Sequence, residues 1–217
     1  MRNTIFYFTD LEGTILRESD GKFDKEEFEK LLEELSKLQE SLKASVKINI
    51  VSPIYMDQME ELVDLFDRQI VEFNKSSNKD RLDPINSAVA FPRETFSGGD
   101  YTYDIIEPFP GRTLDGGEKG KETYVRNWME AYPDAKLYIY AENGGNDILA
   151  MRKVKENPRG FVICPKNSRT EVKKIANYVS EKEDLEGVIE GLEKVNDAVI
   201  ARKTKENPSK SDDFENR

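Results

Sequence analysis

Asp10 with Glu12, Ser52, Lys119, and the group Glu142, Asn143 and Asp147 are the residues of this chain whose types could share one piece of chemistry. Together they offer hard carboxylate and amide oxygens, a hydroxyl and an ammonium, a set suited to holding a hard cation and transferring a phosphoryl group. Asp10 stands first among them. It closes the apolar, β-prone run Ile5-Phe6-Tyr7-Phe8 and is followed at once by Leu11-Glu12-Gly13-Thr14, so a carboxylate is delivered where a buried strand ends. Gly13 lets backbone approach an anion closely, and Thr14 offers a hydroxyl and an N–H. Parallel sheets bind ligands outside the carboxyl ends of their strands, which is where this turn lies.

The elements that must position these groups alternate along the chain. After the first strand, residues 23–42 place Phe28, Leu31, Leu32, Leu35, Leu38 and Leu42 at helical spacing on a charged background. Residues 46–51 read as a strand that ends at Ser52, and 56–74 as a helix with an apolar stripe from Met59 to Phe73. Residues 76–83 are polar and read as a loop. Strands are expected at 87–91 and 101–106, with Ser97-Gly98-Gly99-Asp100 between them forming a hairpin or flap. A helix over 120–131 has Lys119 at its entrance and Tyr124, Trp128 and Ala131 on its inner face. A strand at 136–140 runs into Glu142-Asn143-Gly144-Gly145-Asn146-Asp147, followed by a strand at 161–164 and helices at 171–178 and 184–203. Residues 204–217 are polar apart from Phe214 and read as a mobile tail or a linker to a further domain. The expectation is an α/β domain over 1–203.

Composition narrows the chemistry. The chain has 217 residues and no histidine, which removes Ser-His and Cys-His catalysis and imidazole metal sites. Its 43 acidic against 33 basic residues give a net charge of −10, which argues against a nucleic-acid partner. The single Cys164 cannot form an internal disulfide, in keeping with reducing surroundings. Cys164 and Arg169 are separated by four residues, one short of a cysteine-phosphatase loop, and a buried structural thiol is the simpler reading. Gly116 to Thr123 lacks both the first glycine and the final hydroxyl of a nucleotide P-loop. Tyr101, Tyr103 and Phe109 read as hairpin packing or as the lining of a substrate flap, and the acidic faces of 23–42 and 184–203 as solvated surfaces. No stretch approaches the length of a transmembrane helix, and the amino terminus turns directly into a strand, unlike a signal peptide.

The order of these groups resembles the haloacid dehalogenase superfamily of Mg2+-dependent hydrolases. Residues 6–14 match its first motif, an apolar strand followed by D-x-D-G-T, with Glu12 in place of the second Asp. Ser52 matches the second, Lys119-Gly120 the third with Lys121 competing, and Glu142 or Asn143 with Asp147 the fourth. Cys164-Pro165-Lys166-Asn167, then Val172, Ala176, Asn177, Tyr178, Val179 and Glu186-Gly187-Val188, look like the carboxyl-terminal section of the Cof-like branch. The resemblance implies a three-layer Rossmann-like parallel sheet, with a small hairpin at 93–117 where the branch carries a large cap. It further implies Asp10 as the nucleophile forming an aspartyl-phosphate, Glu12 as the acid and base, and Lys119 as the charge-neutralising cation. Ser52, Lys119 and the backbone around Leu11, Glu12, Gly13 and Thr14 would bind the phosphoryl group. Mg2+ would be held by Asp10, the carbonyl of Glu12, Asp147 and an oxygen of Glu142 or Asn143.

Two departures carry consequences. Glu12 adds one methylene to the family's acid, about 1.5 Å of reach. Asn143 brings an uncharged oxygen where the family has a carboxylate, a loss Glu142 would repair. A short cap leaves an open site, which suits a phosphoprotein such as a phosphotyrosine substrate. Such a protein would be cytoplasmic or an effector secreted without a signal peptide. A sugar-phosphate or phosphoglycerate phosphatase is the second reading, and a noncatalytic phosphate-binding module the third.

Overall fold

The computed structural model of the protein describes residues 3–52, 56–77, 81–90, 105–106 and 117–206. Strand β1 (Thr4–Thr9) is buried along its whole length, as a continuous apolar run covered on both faces must be. Helix α1 (Lys25–Leu42) follows; Asp24 caps it by accepting from the N–H groups of Glu26 and Glu27, and Lys43 in the left-handed region ends it. Next come β2 (Ser45–Ser52), α2 (Met56–Ser76), β3 (Ser87–Ala90), β4 (Ile105–Ile106), α3 (Gly117–Ala131) and β5 (Leu137–Ala141). A 3-10 turn (Gly145–Asp147) leads into α4 (Ile148–Glu156), β6 (Gly160–Cys164), α5 (Thr170–Lys173), β7 (Tyr178–Val179) and α6 (Asp184–Glu206).

The strands form one sheet in the order β4-β3-β2-β1-β5-β6-β7, parallel throughout except for the antiparallel edge pair β3 and β4. This is the expected three-layer α/β architecture. On one face Ile5, Tyr7, Ile48 and Ile139 pack under α1, α2 and α6, through Leu31, Leu35, Phe66 and Leu192. On the other face Phe6, Phe8, Tyr138 and Tyr140 meet Tyr124 and Val125 of α3 and Met151 of α4. The chain builds outward from β1 in one direction to β4, then returns to the other side of β1 as β5. The strand order therefore reverses at β1, and a crevice opens there at the carboxyl edge. Among the described residues, no helix is long and apolar enough to cross a membrane.

The helix expected at 171–178 is corrected. α5 stops at Lys173, and Tyr178 and Val179 pair with Ile163 and Cys164 as β7. Asn177 explains the change, because its N–H donates to Val162 O while its side-chain oxygen accepts from Val162 N–H. A short polar side chain that offers the backbone this alternative works against a helix. Of the hairpin or flap expected at 93–117, residues 93–104 and 107–116 lie outside the described residues, Tyr101, Tyr103 and Phe109 among them, as does the tail from 207 on.

Candidate active site

β1 and β5 run side by side with Phe8 opposite Tyr140 and Thr9 opposite Ala141. Asp10 and Glu142 are therefore the next residues along the two neighbouring strands, and they follow the alternation of Phe6, Phe8, Tyr138 and Tyr140. Asp10 N–H donates to Ala141 O at 3.3 Å, and Glu142 N–H to Ile163 O at 3.2 Å, which ties both strand ends into the sheet. Asp147 comes up from the 3-10 turn before α4 and accepts a hydrogen bond from the Tyr140 hydroxyl. One oxygen from each of Asp10, Glu142 and Asp147 lies within 4.8 Å of the others, and all three residues are buried.

The cation that meets them is Lys121. Its Nζ lies 2.6 Å from Asp147 Oδ2 and 3.8 Å from Asp10 Oδ2, and the residue is wholly buried. Lys119, expected in this place, is instead exposed on α3. Helix geometry gives the reason: residues two apart point about 200° away from each other, so only one of the pair can face the sheet. Lys121 lies three residues before Tyr124, four before Val125 and seven before Trp128, on the buried stripe.

Electrostatics follow from burial. Loss of water would lower the Lys121 pKa, but Asp10, Asp147 and Glu142 outweigh it and hold the ammonium firmly charged. Burial raises Asp147 to about 6, with Asp10 adding to the rise and the ion pair with Lys121 and the Tyr140 hydrogen bond opposing it. Glu142 is pushed well above the carboxylate range by burial and then by Asp10 and Asp147. Glu142 Oε1 accepts from Gly144 N–H, whereas Oε2 is buried and, among the described residues, has no hydrogen-bond partner. Three carboxylates around one ammonium, with an orphaned oxygen among them, fit a hard divalent cation.

The turn after Asp10 is stitched to itself. Asp10 Oδ1 accepts from Leu11 N–H at 2.8 Å, Gly13 N–H donates to Leu16 O at 2.8 Å, and Thr14 N–H to Leu11 O at 3.2 Å. These three donors, expected to face a phosphoryl group, are thus engaged within the loop. The Thr14 and Ser52 hydroxyls are buried and, among the described residues, make no hydrogen bond. Ser52 ends β2 two residues beyond Ile50, the partner of Thr9, so it lies beside the turn that follows Asp10. Glu12 is exposed and lines a cleft of about 660 Å³ together with Asp10 and Asn143.

Gly13 has φ +69°, and a Cβ built on it would lie 1.8 Å from Asn143 Nδ2. Asn143 therefore rests its side chain on Gly13. Gly13→Ala is expected to lower the thermal midpoint by roughly 5 °C or more, combining left-handed strain with this overlap; a melting curve against wild type measures it.

Beyond the residues expected from sequence, the cleft is lined by Arg17, Glu18, Asn146, Asn167 and Arg169. Asn167 binds Gly13 O at 3.1 Å, Glu18 at 3.0 Å and Asp184 at 2.8 Å, clamping the loop after Asp10 to the start of α6. Only the polarity of 165–169, next to a strand end, signalled this wall. Cys164 is fully buried, and burial pushes its thiol up to about 12, so it is no nucleophile.

The fold is similar to that of solved structures, among them a haloacid dehalogenase-like hydrolase. A crystal structure of a haloacid dehalogenase-like hydrolase from Bacteroides thetaiotaomicron superposes with a TM-score of 0.50 at 14% identity, covering 90% of this chain and 100% of that one. A crystal structure of a protein from Thermoplasma acidophilum gives 0.51 at 11% identity, covering 91% and 99%. No protein-family model matches the sequence, and no curated protein does. The likeness is one of fold.

Proposed function

We propose that this chain is a Mg2+-dependent phosphomonoester hydrolase working through an aspartyl-phosphate on Asp10. The observation that carries this reading is the convergence of buried Asp10, Glu142, Asp147 and Lys121 at the carboxyl edge where β1 meets β5. Asp10, Glu142 and Asp147 would hold the ion, helped by the carbonyl of Glu12, while Asn143 lines the cleft. Bound Mg2+ would supply positive charge against the phosphoryl oxygens.

The residues of the chain do the rest. One carboxylate oxygen of Asp10 attacks phosphorus, the bond to the ester oxygen breaks, and the departing oxygen keeps the electron pair and takes a proton from Glu12. Glu12 then accepts a proton from water as that water attacks phosphorus, releasing inorganic phosphate and restoring Asp10. Lys121 stays charged throughout and offsets the negative charge gathered around Asp10. The unpaired Thr14 and Ser52 hydroxyls are the donors assigned to phosphoryl oxygens.

The test is turnover of a generic aryl phosphate, expected with Mg2+, lost on chelation and restored by adding the metal. Metal-indifferent or absent turnover would favour a noncatalytic phosphate binder instead. A second prediction follows from the buried carboxyls. Asp147 titrates near 6 in the folded chain against an ordinary 3.8, so the metal-free fold loses stability as pH rises through that window. Mg2+ requires the deprotonated form and competes with the proton. The stabilisation given by Mg2+ is therefore expected to be larger at pH 8 than at pH 5.5, and amounts to about 2.7 kcal/mol where free Mg2+ is about a hundred times Kd. Scanning calorimetry at both pH values checks the order.

A further inference from the structure

Building on the phosphatase reading, we infer that Arg169 binds a second anionic group of the substrate, so that the preferred ester is a small phosphorylated acid or bisphosphate. Arg169 lines the cleft that Asp10 and Glu12 also line. Its side chain is exposed, and among the described residues its guanidinium makes no ion pair, in a chain where acids outnumber bases 43 to 33. By contrast the cleft's other arginine, Arg17, approaches Asp20 and Asp24, each at 4.0 Å.

The position of Arg169 is built rather than incidental. Its N–H donates to Asn143 O at 3.0 Å, and the neighbouring Ser168 hydroxyl donates to Glu142 O at 3.1 Å. The segment that carries the guanidinium is thereby fastened to the strand end that carries the candidate metal set. The side chain then runs over Gly145, where a Cβ would come 3.3 Å from Nη1 and 3.5 Å from Cδ. Glycine at 145 leaves that path clear, and Glu171 Oε1 would stand 3.5 Å from the same Cβ.

Charge explains what this arrangement selects. Asp10, Glu12 and Glu18 make the lining of the cleft acidic, and a second anion on a substrate would be repelled unless a cation met it. A guanidinium presents a planar fork that matches a carboxylate or phosphate with two hydrogen bonds. A cleft of about 660 Å³ accommodates an ester of that size in one piece.

The experiment uses paired esters that differ by one anionic group: 3-phosphoglycerate against glycerol 3-phosphate, and fructose 1,6-bisphosphate against fructose 6-phosphate. Wild type is expected to favour at least one charged member by kcat/KM. In Arg169→Ala that ratio is expected to fall by about 10- to 100-fold, the worth of a hydrogen bond between charged groups, and Arg169→Lys is expected to restore part of it. Because the readout is a ratio, a general loss of activity cancels. Aryl-phosphate turnover in wild type with ratios at or below one, or faster turnover of a phosphotyrosine peptide than of any of these esters, overturns the inference and leaves the phosphatase reading standing. Absence of Mg2+-dependent aryl-phosphate turnover overturns both.

Discussion

Asp10→Asn is expected to reduce phosphomonoester turnover by roughly 10⁴-fold or more, because an amide cannot form the covalent intermediate and the remaining groups have no other nucleophile to assist. The absence of histidine and the burial of Cys164 leave no substitute nearby. The variant should fold. Asn offers an oxygen for Leu11 N–H, so the 2.8 Å bond that shapes the turn survives. In metal-free protein the substitution also removes one of three carboxylates crowded around Lys121, relieving repulsion on Glu142 and Asp147. The metal-free thermal midpoint is therefore expected to stay level or rise, while the increment given by Mg2+ shrinks. Steady-state kinetics paired with melting curves check both halves. A variant that keeps more than a hundredth of wild-type turnover would remove Asp10 from the nucleophile's place, and a collapsed midpoint would mean that its role is architectural.

Much of this site was legible in the sequence through periodicity, further than motif spacing alone carried it. Motif spacing left Glu142 and Asn143 as alternatives. Strand alternation separates them, since Glu142 follows Tyr138 and Tyr140 onto the face where Phe8 precedes Asp10, and the carboxylates do meet there. Helix phase likewise separates Lys121 from Lys119, because only Lys121 shares a stripe with Tyr124 and Trp128. What the sequence hid was long-range. Helix α4 went unassigned between the acidic group and the strand at 161–164, for nine residues offer few turns of pattern. β7 has two residues and owes its strand to pairing with β6, a partner that local propensity does not register. The wall formed by Asn167 and Arg169 depends on contacts to residues 13, 18 and 143, spanning up to 154 positions along the chain.

Lys121→Ala is expected to destabilise the metal-free protein by about 3–5 kcal/mol, the cost of leaving buried charge without its partner. Three buried carboxylates currently share one ammonium, which touches Asp147 at 2.6 Å and faces Asp10 at 3.8 Å. Without it Glu142 and Asp147 must take up protons to remain inside, so the variant's deficit should be smallest in acid and grow as pH rises. Mg2+ should recover part of the loss, since it brings two positive charges to the same oxygens; turnover should remain low even when the metal is saturating, because the transferring phosphoryl still lacks its cation. Lys121→Met, which keeps the length of the side chain, separates packing from charge: a methionine variant as unstable as alanine assigns the effect to the ammonium. Lys119→Ala supplies the contrast, with a stability change inside about 0.5 kcal/mol, as befits an exposed side chain. Denaturant titrations of the three variants with and without Mg2+, at pH 5.5 and pH 8, measure these differences. Equal losses from positions 119 and 121 would break the assignment of Lys121 as the cation of the site.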